Sequence, residues 1–147
     1  MSSCTKLRVR YAETDQMGFA HHANYLIWFE AARTEFLRSS GCAYTEFEAQ
    51  GVVMPVREAS CRFRTPAHYD ELLEISCSVT RLAPTRLELA YEVRRDDTLV
   101  AEGATVQAFL GPEGRPINLE KRSPHLWAVL TKLAEEKGAP GNGQRNS

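Results

Sequence analysis

Five large apolar side chains stand in succession at Tyr25-Leu26-Ile27-Trp28-Phe29. The run opens a stretch with helical spacing from about Asn24 to Ser40, with Asn24 in the N-cap position and Gly41 as the C′ residue. A helix turn that is apolar all the way round belongs inside a protein. Each large side chain buried there contributes roughly 1.5–3 kcal/mol. The second half of the helix turns amphipathic, with Arg33, Glu35 and Arg38 around Phe36 and Leu37. The rest of the chain must therefore supply a cover for this helix, and that requirement limits the fold more than any other feature.

The cover reads as strands. Lys6 to Ala12 alternates Leu7, Val9 and Tyr11 against Lys6, Arg8 and Arg10, a half-buried strand. From Val52 to Thr65 the apolar positions change parity, from Val52, Met54 and Val56 to Ala59, Cys61 and Phe63. A strand repeats every two residues, so the change predicts a bulge near Arg57-Glu58. Pro66 to Glu71 is a connection. Leu73, Ile75, Cys77 and Val79 form one clean alternation, and Leu87, Leu89, Tyr91 and Val93 a second, separated by a turn at Ala83-Pro84. Asp96-Asp97 marks another turn before a strand over Leu99 to Leu110. Ser123-Pro124 is a cap followed by Pro at the first helical position, and it opens a helix striped by Leu126, Trp127, Leu130 and Leu133. The expected order is strand, enclosed helix, four strands and a terminal helix. Hairpin-length connections make the strands antiparallel. The fold class is α+β, an antiparallel sheet curled around one helix. Residues 1–137 are expected to form one domain, and Gly138 to Ser147 a disordered tail.

The 147 residues carry a net charge of −1. A nucleic-acid binder shows a basic excess, so that class is disfavoured. No run of about 18 apolar residues predicts a membrane span. The N-terminus lacks the apolar block of a secretory signal. Cys4, Cys42, Cys61 and Cys77 contain no Cys-x-x-Cys pair, and Cys61 and Cys77 fall at apolar strand positions. Small reduced thiols fit a cytoplasmic location.

Chemistry concentrates in Thr14-Asp15-Gln16-Met17-Gly18-Phe19-Ala20-His21-His22, the loop that leads into the helix. A helix start offers unpaired N–H groups and partial positive charge, which can hold a developing oxyanion. Asp15 beside it can attack a carbonyl or activate water. Gly18 permits close backbone approach to a ligand. The plainer roles are a loop acid or cap for Asp15 and a surface or capping residue for His22. His21 is expected to be structural. A metal held by Asp15, His21 and His22 is disfavoured, because adjacent histidines point apart and no fourth ligand is evident. His68 and His125 read as surface residues, and Arg62/Arg64 and Arg94-Arg95 as solvated strand charges. There is no Gly-x-Ser-x-Gly elbow, phosphate-binding Gly-rich loop or His-Glu-x-x-His.

Thr14-Asp15-x-x-Gly18, His22-Ala23-Asn24-Tyr25 and Phe29-Glu30-x-x-Arg33-Thr34-Glu35 together resemble the 4-hydroxybenzoyl-CoA thioesterase family of hotdog-fold proteins. The nearest branch is that of the Tol-Pal-associated acyl-CoA thioesterases. Pro66-Ala67-x-x-Asp70-Glu71-Leu72-Leu73-Glu74-Ile75 is similar to a family stretch that opens a strand, and the likeness runs from about Leu7 to Leu130. It implies a five-stranded curved sheet around the Asn24–Ser40 helix, and hydrolysis of an acyl-CoA thioester without a cofactor or metal. It implies a homodimer or homotetramer with sites at subunit interfaces. Asp15 aligns with the catalytic carboxylate, as nucleophile or general base. His22 aligns with the helix-start histidine, whose backbone N–H polarises the thioester carbonyl. Gly18 and Tyr25 fall on the substrate-binding side. Met17 and His21 depart from the small residue and the aromatic usual at their positions, so acyl preference does not carry over. A hotdog enoyl-CoA hydratase or dehydratase, which needs a histidine base, and a non-catalytic acyl-CoA or acyl-carrier binding module are the rival readings.

Overall fold

The computed structural model describes residues 3–136, and the expected tail from Gly138 to Ser147 lies outside them. The elements run β1 (Ser3–Arg8), α1 (Asn24–Arg38), α2 (Tyr44–Ala49), β2 (Val56–Phe63), β3 (Leu72–Ala83), β4 (Arg86–Arg95), β5 (Thr98–Ala108), α3 (Leu119–Arg122) and α4 (Pro124–Glu136), with a 3-10 turn at Tyr11–Glu13. The five strands form one antiparallel sheet in the order β1-β3-β4-β5-β2. This is the α+β architecture expected of the sequence.

Both clean alternations hold. Leu73, Ile75, Cys77 and Val79 on β3, and Leu87, Leu89, Tyr91 and Val93 on β4, are all buried. They meet Trp28, Phe29, Ala32 and Phe36 of α1 in one core, which Leu126, Leu130 and Leu133 of α4 join. Phe29 stacks on Tyr91 with ring centroids 4.4 Å apart and planes 8° from parallel. The same ring lies against Gly103 of β5, where any Cβ would collide with Phe29 and with the Ser60 carbonyl. Glycine inside β5 thus marks where the helix comes closest to the sheet.

Several expectations need correction. Helix α1 is not enclosed all round: Leu26 and Ile27 are 47% and 57% exposed. A helix against a sheet hides one side, and these two residues stand on the other. Asn24 is not the cap. Ala23 holds that place without a side-chain bond, and the Asn24 amide instead donates to the Glu13 and His21 carbonyls. The first strand starts earlier than Lys6 and ends at Arg8, because the chain turns at Tyr11–Glu13. The bulge is real, with the register shifting between Val56 and Glu58. The strand is shorter than Val52 to Thr65, and Phe63 is 53% exposed, because β2 is an edge. The short helices α2 and α3 had no sequence signal strong enough to place them. Gly41 is left-handed, with φ of 86°, but α1 ends at Arg38 with Ser39 as its cap, so the glycine lies one residue beyond the C′ position expected of it. No helix among the described residues is long and apolar enough to cross a membrane.

Candidate active site

The loop before α1 is held by backbone bonds at both ends. The Asp15 N–H donates to Phe19 O and the Gly18 N–H to Asp15 O, each at 2.9 Å. Met17 N–H donates to Asp15 Oδ1 at 2.9 Å, an Asx-type turn that fixes the carboxylate. Gly18 has φ of 87°. A Cβ there would meet nothing within 4 Å, so the glycine answers a backbone requirement and leaves that side of the loop open.

Below the loop sits Glu13, buried to 6% exposure. Its Oε1 accepts the Arg10 N–H at 2.7 Å, and its Oε2 accepts the Trp28 indole N–H at 3.1 Å. The Glu13 carbonyl takes the His21 N–H at 2.7 Å and the Asn24 amide at 2.9 Å. Glu13 therefore welds the loop to the first turns of α1. Sequence reasoning passed over it. The available signal was Trp28: a tryptophan in a buried run needs an acceptor for its N–H.

The loop's other wall is the Pro66–Glu71 connection. Ala20 N–H donates to Ala67 O at 2.8 Å, and Phe19 meets His68 edge-on at 5.5 Å. Arg95 fastens this connection, reaching Pro66 O at 3.1 Å and Glu71 at 2.9 Å. Burial pushes the Glu71 carboxyl up. The His68 N–H and the Arg95 guanidinium outweigh it and hold the group below its ordinary value.

At the helix start, the N–H groups of Ala20, His21, Ala23, Asn24 and Tyr25 all have acceptors. That of His22 has none among the described residues. His21 spends its Nδ1 on the Ala23 N–H at 3.2 Å, and its ring lies 4.2 Å from that of His22 with the planes tilted by 30°. Tyr25 is buried against Trp28 and meets Phe63 edge-on at 5.0 Å. The His22 ring faces the same Phe63 at 6.4 Å. Burial pushes the Tyr25 phenol up to about 12 and the Cys61 thiol up to about 11. Both stay protonated near neutrality and are poor bases or nucleophiles. Asp15 and His22, predicted from the sequence, thus lie on one braced segment with Gly18, and Tyr25 lies beneath it in the helix. Among the described residues, one group of Cys, His and carboxylate ligand atoms falls within 4.8 Å: Cys42, Glu46 and His125. It does not include Asp15, His21 or His22.

The model of the thioesterase superfamily matches residues 17–102. A putative esterase of Aquifex aeolicus is 32% identical over 114 residues, 78% of this chain and 88% of that protein. The acyl-CoA thioesterase YbgC of Haemophilus influenzae is 32% identical over 129 residues, 87% of this chain and 90% of its own. The solved structure of a DHNA-CoA thioesterase from Staphylococcus aureus superposes with a TM-score of 0.86 at 29% identity, covering 91% of each chain.

Proposed function

Because this chain belongs to the thioesterase superfamily, we propose that it hydrolyses an acyl-CoA thioester to the free acid and CoA. Asp15 acts as nucleophile or general base, and the start of α1 binds the oxyanion. The observation that carries this reading is the pair of open groups on one rigid segment. Asp15 spends Oδ1 on Met17 and has no second hydrogen bond to its carboxylate among the described residues. The His22 N–H is likewise unspent. A preorganised donor at a helix start stabilises negative charge as it develops on the carbonyl oxygen. Gly18 leaves the approach clear, and Tyr25 supports the helix start from below as part of the substrate-binding side.

The working unit in this proposal is a homodimer or a higher homo-oligomer. Edge strand β2 is exposed on both faces, with Val56 and Phe63 43% and 53% exposed. An unpaired edge of this length is a template for another strand, and a second copy's β2 fits it. No metal or other cofactor is invoked, since acid, oxyanion site and water suffice for acyl transfer.

The test is hydrolysis of a panel of acyl-CoA thioesters by the wild type and by Asp15→Asn. The Asn side-chain oxygen still accepts the Met17 N–H, so the loop is preserved. Turnover should fall at least about a hundredfold. His22→Ala should cost less, because its backbone donor remains. Wild-type rates in Asp15→Asn rule the assignment out.

A further inference from the structure

Beyond the end of α1, at the opposite end of that helix from Asp15, the ligand atoms of Cys42, Glu46 and His125 lie within 4.8 Å of one another. They come from separate segments. Cys42 is in the loop after α1, Glu46 in the first turn of α2, and His125 at the second position of α4. Structure behind each of them sets its place. Cys42 is buried, and its N–H donates to Ser40 Oγ at 3.1 Å. Ser40 Oγ in turn donates to Leu37 O at 2.6 Å, which fixes the sulfur against the last turn of α1. Ser123 Oγ, just before α4, donates to Gln50 Oε1 at 3.0 Å and accepts the Leu126 N–H at 3.4 Å. Those bonds tie the end of α2 to the start of α4, and buried Leu126 seats α4 in the core.

Thiolate sulfur, imidazole nitrogen and carboxylate oxygen are the donor types of zinc. Tetrahedral geometry with Zn–S of about 2.3 Å and Zn–O of about 2.1 Å puts sulfur and oxygen about 3.6 Å apart. Cys42 Sγ and Glu46 Oε1 stand 3.5 Å apart. His125 is exposed in the first turn of α4, so rotation about its side-chain bonds brings the ring onto the same point. Among the described residues Glu46 has no other side-chain hydrogen bond, and the His125 ring has none. Their lone pairs are not spent elsewhere. The Cys42 thiol now gives its proton to Glu46, and a divalent cation can take that proton's place between the two groups. Magnesium and calcium prefer oxygen ligands alone, so the sulfur selects against them.

We propose that Cys42, Glu46 and His125 bind one zinc ion, with water as the remaining ligand, and that the ion clips α4 to the corner between α1 and α2. On binding, the Cys42 thiol releases its proton to solvent and the thiolate forms the Zn–S bond. Glu46 supplies a carboxylate oxygen and His125 a neutral ring nitrogen, and no group changes oxidation state. Folding alone gathers these segments, so the ion binds the native chain and stabilises it. The 15 residues of α1, about 22 Å of helix, separate this place from the Asp15 loop. The ion is therefore structural, and the proposal stands apart from the thioesterase reading.

The experiment uses the full chain, reduced and stripped of metal by a chelator that is then removed. Zinc is titrated by calorimetry, and cobalt, as a zinc substitute, by absorption. One ion per chain should bind, and cobalt should show the charge-transfer band of a thiolate ligand. The melting temperature should rise by about 5–10 °C at zinc about a hundredfold above Kd, and magnesium should not raise it. Glu46→Gln and His125→Ala change exposed side chains and should fold as the wild type does. Each should weaken zinc binding by at least about tenfold, since losing even a partner that supports a ligand costs that much. Cys42→Ser should abolish the cobalt band, and if it folds poorly the two surface variants decide. Cys4→Ser, at the exposed thiol, is the control and should bind as the wild type does. No zinc binding, equal stabilisation by magnesium, full affinity in either surface variant, or a cobalt band lost with Cys4 overturns the proposal.

Discussion

Glu13 and Trp28, fifteen residues apart, are joined by a buried hydrogen bond of 3.1 Å from the indole N–H to the carboxylate. One end of that bond lies immediately before the Asp15 loop and the other in the second turn of α1. The loop's position relative to the helix start is therefore set by side-chain chemistry as well as by chain connectivity.

Trp28→Phe tests the link. The ring remains but the donor is lost, leaving Glu13 Oε2 with only the Arg10 guanidinium at 3.3 Å. Leaving a buried charged acceptor short of a donor costs about 1–3 kcal/mol. Urea unfolding should show a loss in that range. Thioester kcat/KM should fall several-fold besides, as the Asp15 loop loosens. A variant equal to wild type in both measurements removes Glu13 from the account.

Gly103→Ala addresses the packing of α1 on the sheet. The added methyl would meet the Phe29 ring and, at 2.5 Å, the Ser60 carbonyl oxygen. A flexible side chain can yield, but a strand backbone yields less. Overpacking of this kind typically costs about 1–3 kcal/mol, and the β2–β5 ladder should shift with it. The urea midpoint should drop accordingly; an unchanged midpoint refutes the close approach of Phe29 to β5.

Glu71 gives a signed pH dependence. Its carboxyl titrates below the ordinary value in the fold, so the native state prefers it ionised more than the unfolded chain does. The stabilisation is complete above the ordinary carboxylate value and disappears as pH falls through the folded one. Glu71→Gln abolishes it. The gap in stability between wild type and variant should shrink as pH falls below about 4.5. Urea titrations across that range measure it. A gap that persists undiminished at about pH 3 contradicts the role given to Arg95 and the His68 N–H.

The two alternating strands were legible because period-two burial is a local property, and Leu73 to Val79 and Leu87 to Val93 need no partner to reveal it. The β2 bulge was legible for the same reason, as a parity change. What sequence could not show was which strand ends the sheet. Phe63 has the residue type of a core position and is exposed because β5 lies on one side and nothing among the described residues on the other. Leu26 and Ile27 follow the same logic, since apolarity in succession says nothing of which side of a helix meets the sheet. The segment carrying Asp15 and His22 was legible from motif resemblance and from its place before a helix. Its brace was not, because the Glu13–Trp28 bond depends on side-chain geometry that spacing does not encode.

The β2 edge yields the remaining prediction. In an antiparallel strand a residue's N–H and C=O point to the same side. The Ser60 carbonyl faces β5, against Gly103, so the backbone groups of its neighbours Ala59 and Cys61 face outward. Ala59→Pro removes an outward donor and leaves the β5 ladder its own bonds, as proline does on edge strands. If a second copy pairs along β2, this variant should shift the protein to monomer by light scattering or sedimentation. Circular dichroism should stay that of the wild type. Hydrolysis should fall with the dimer, because in the proposed assembly the second copy completes the site beside Asp15 and the start of α1. A monomeric wild type, or a monomeric variant with full activity, would show that each chain completes its own site.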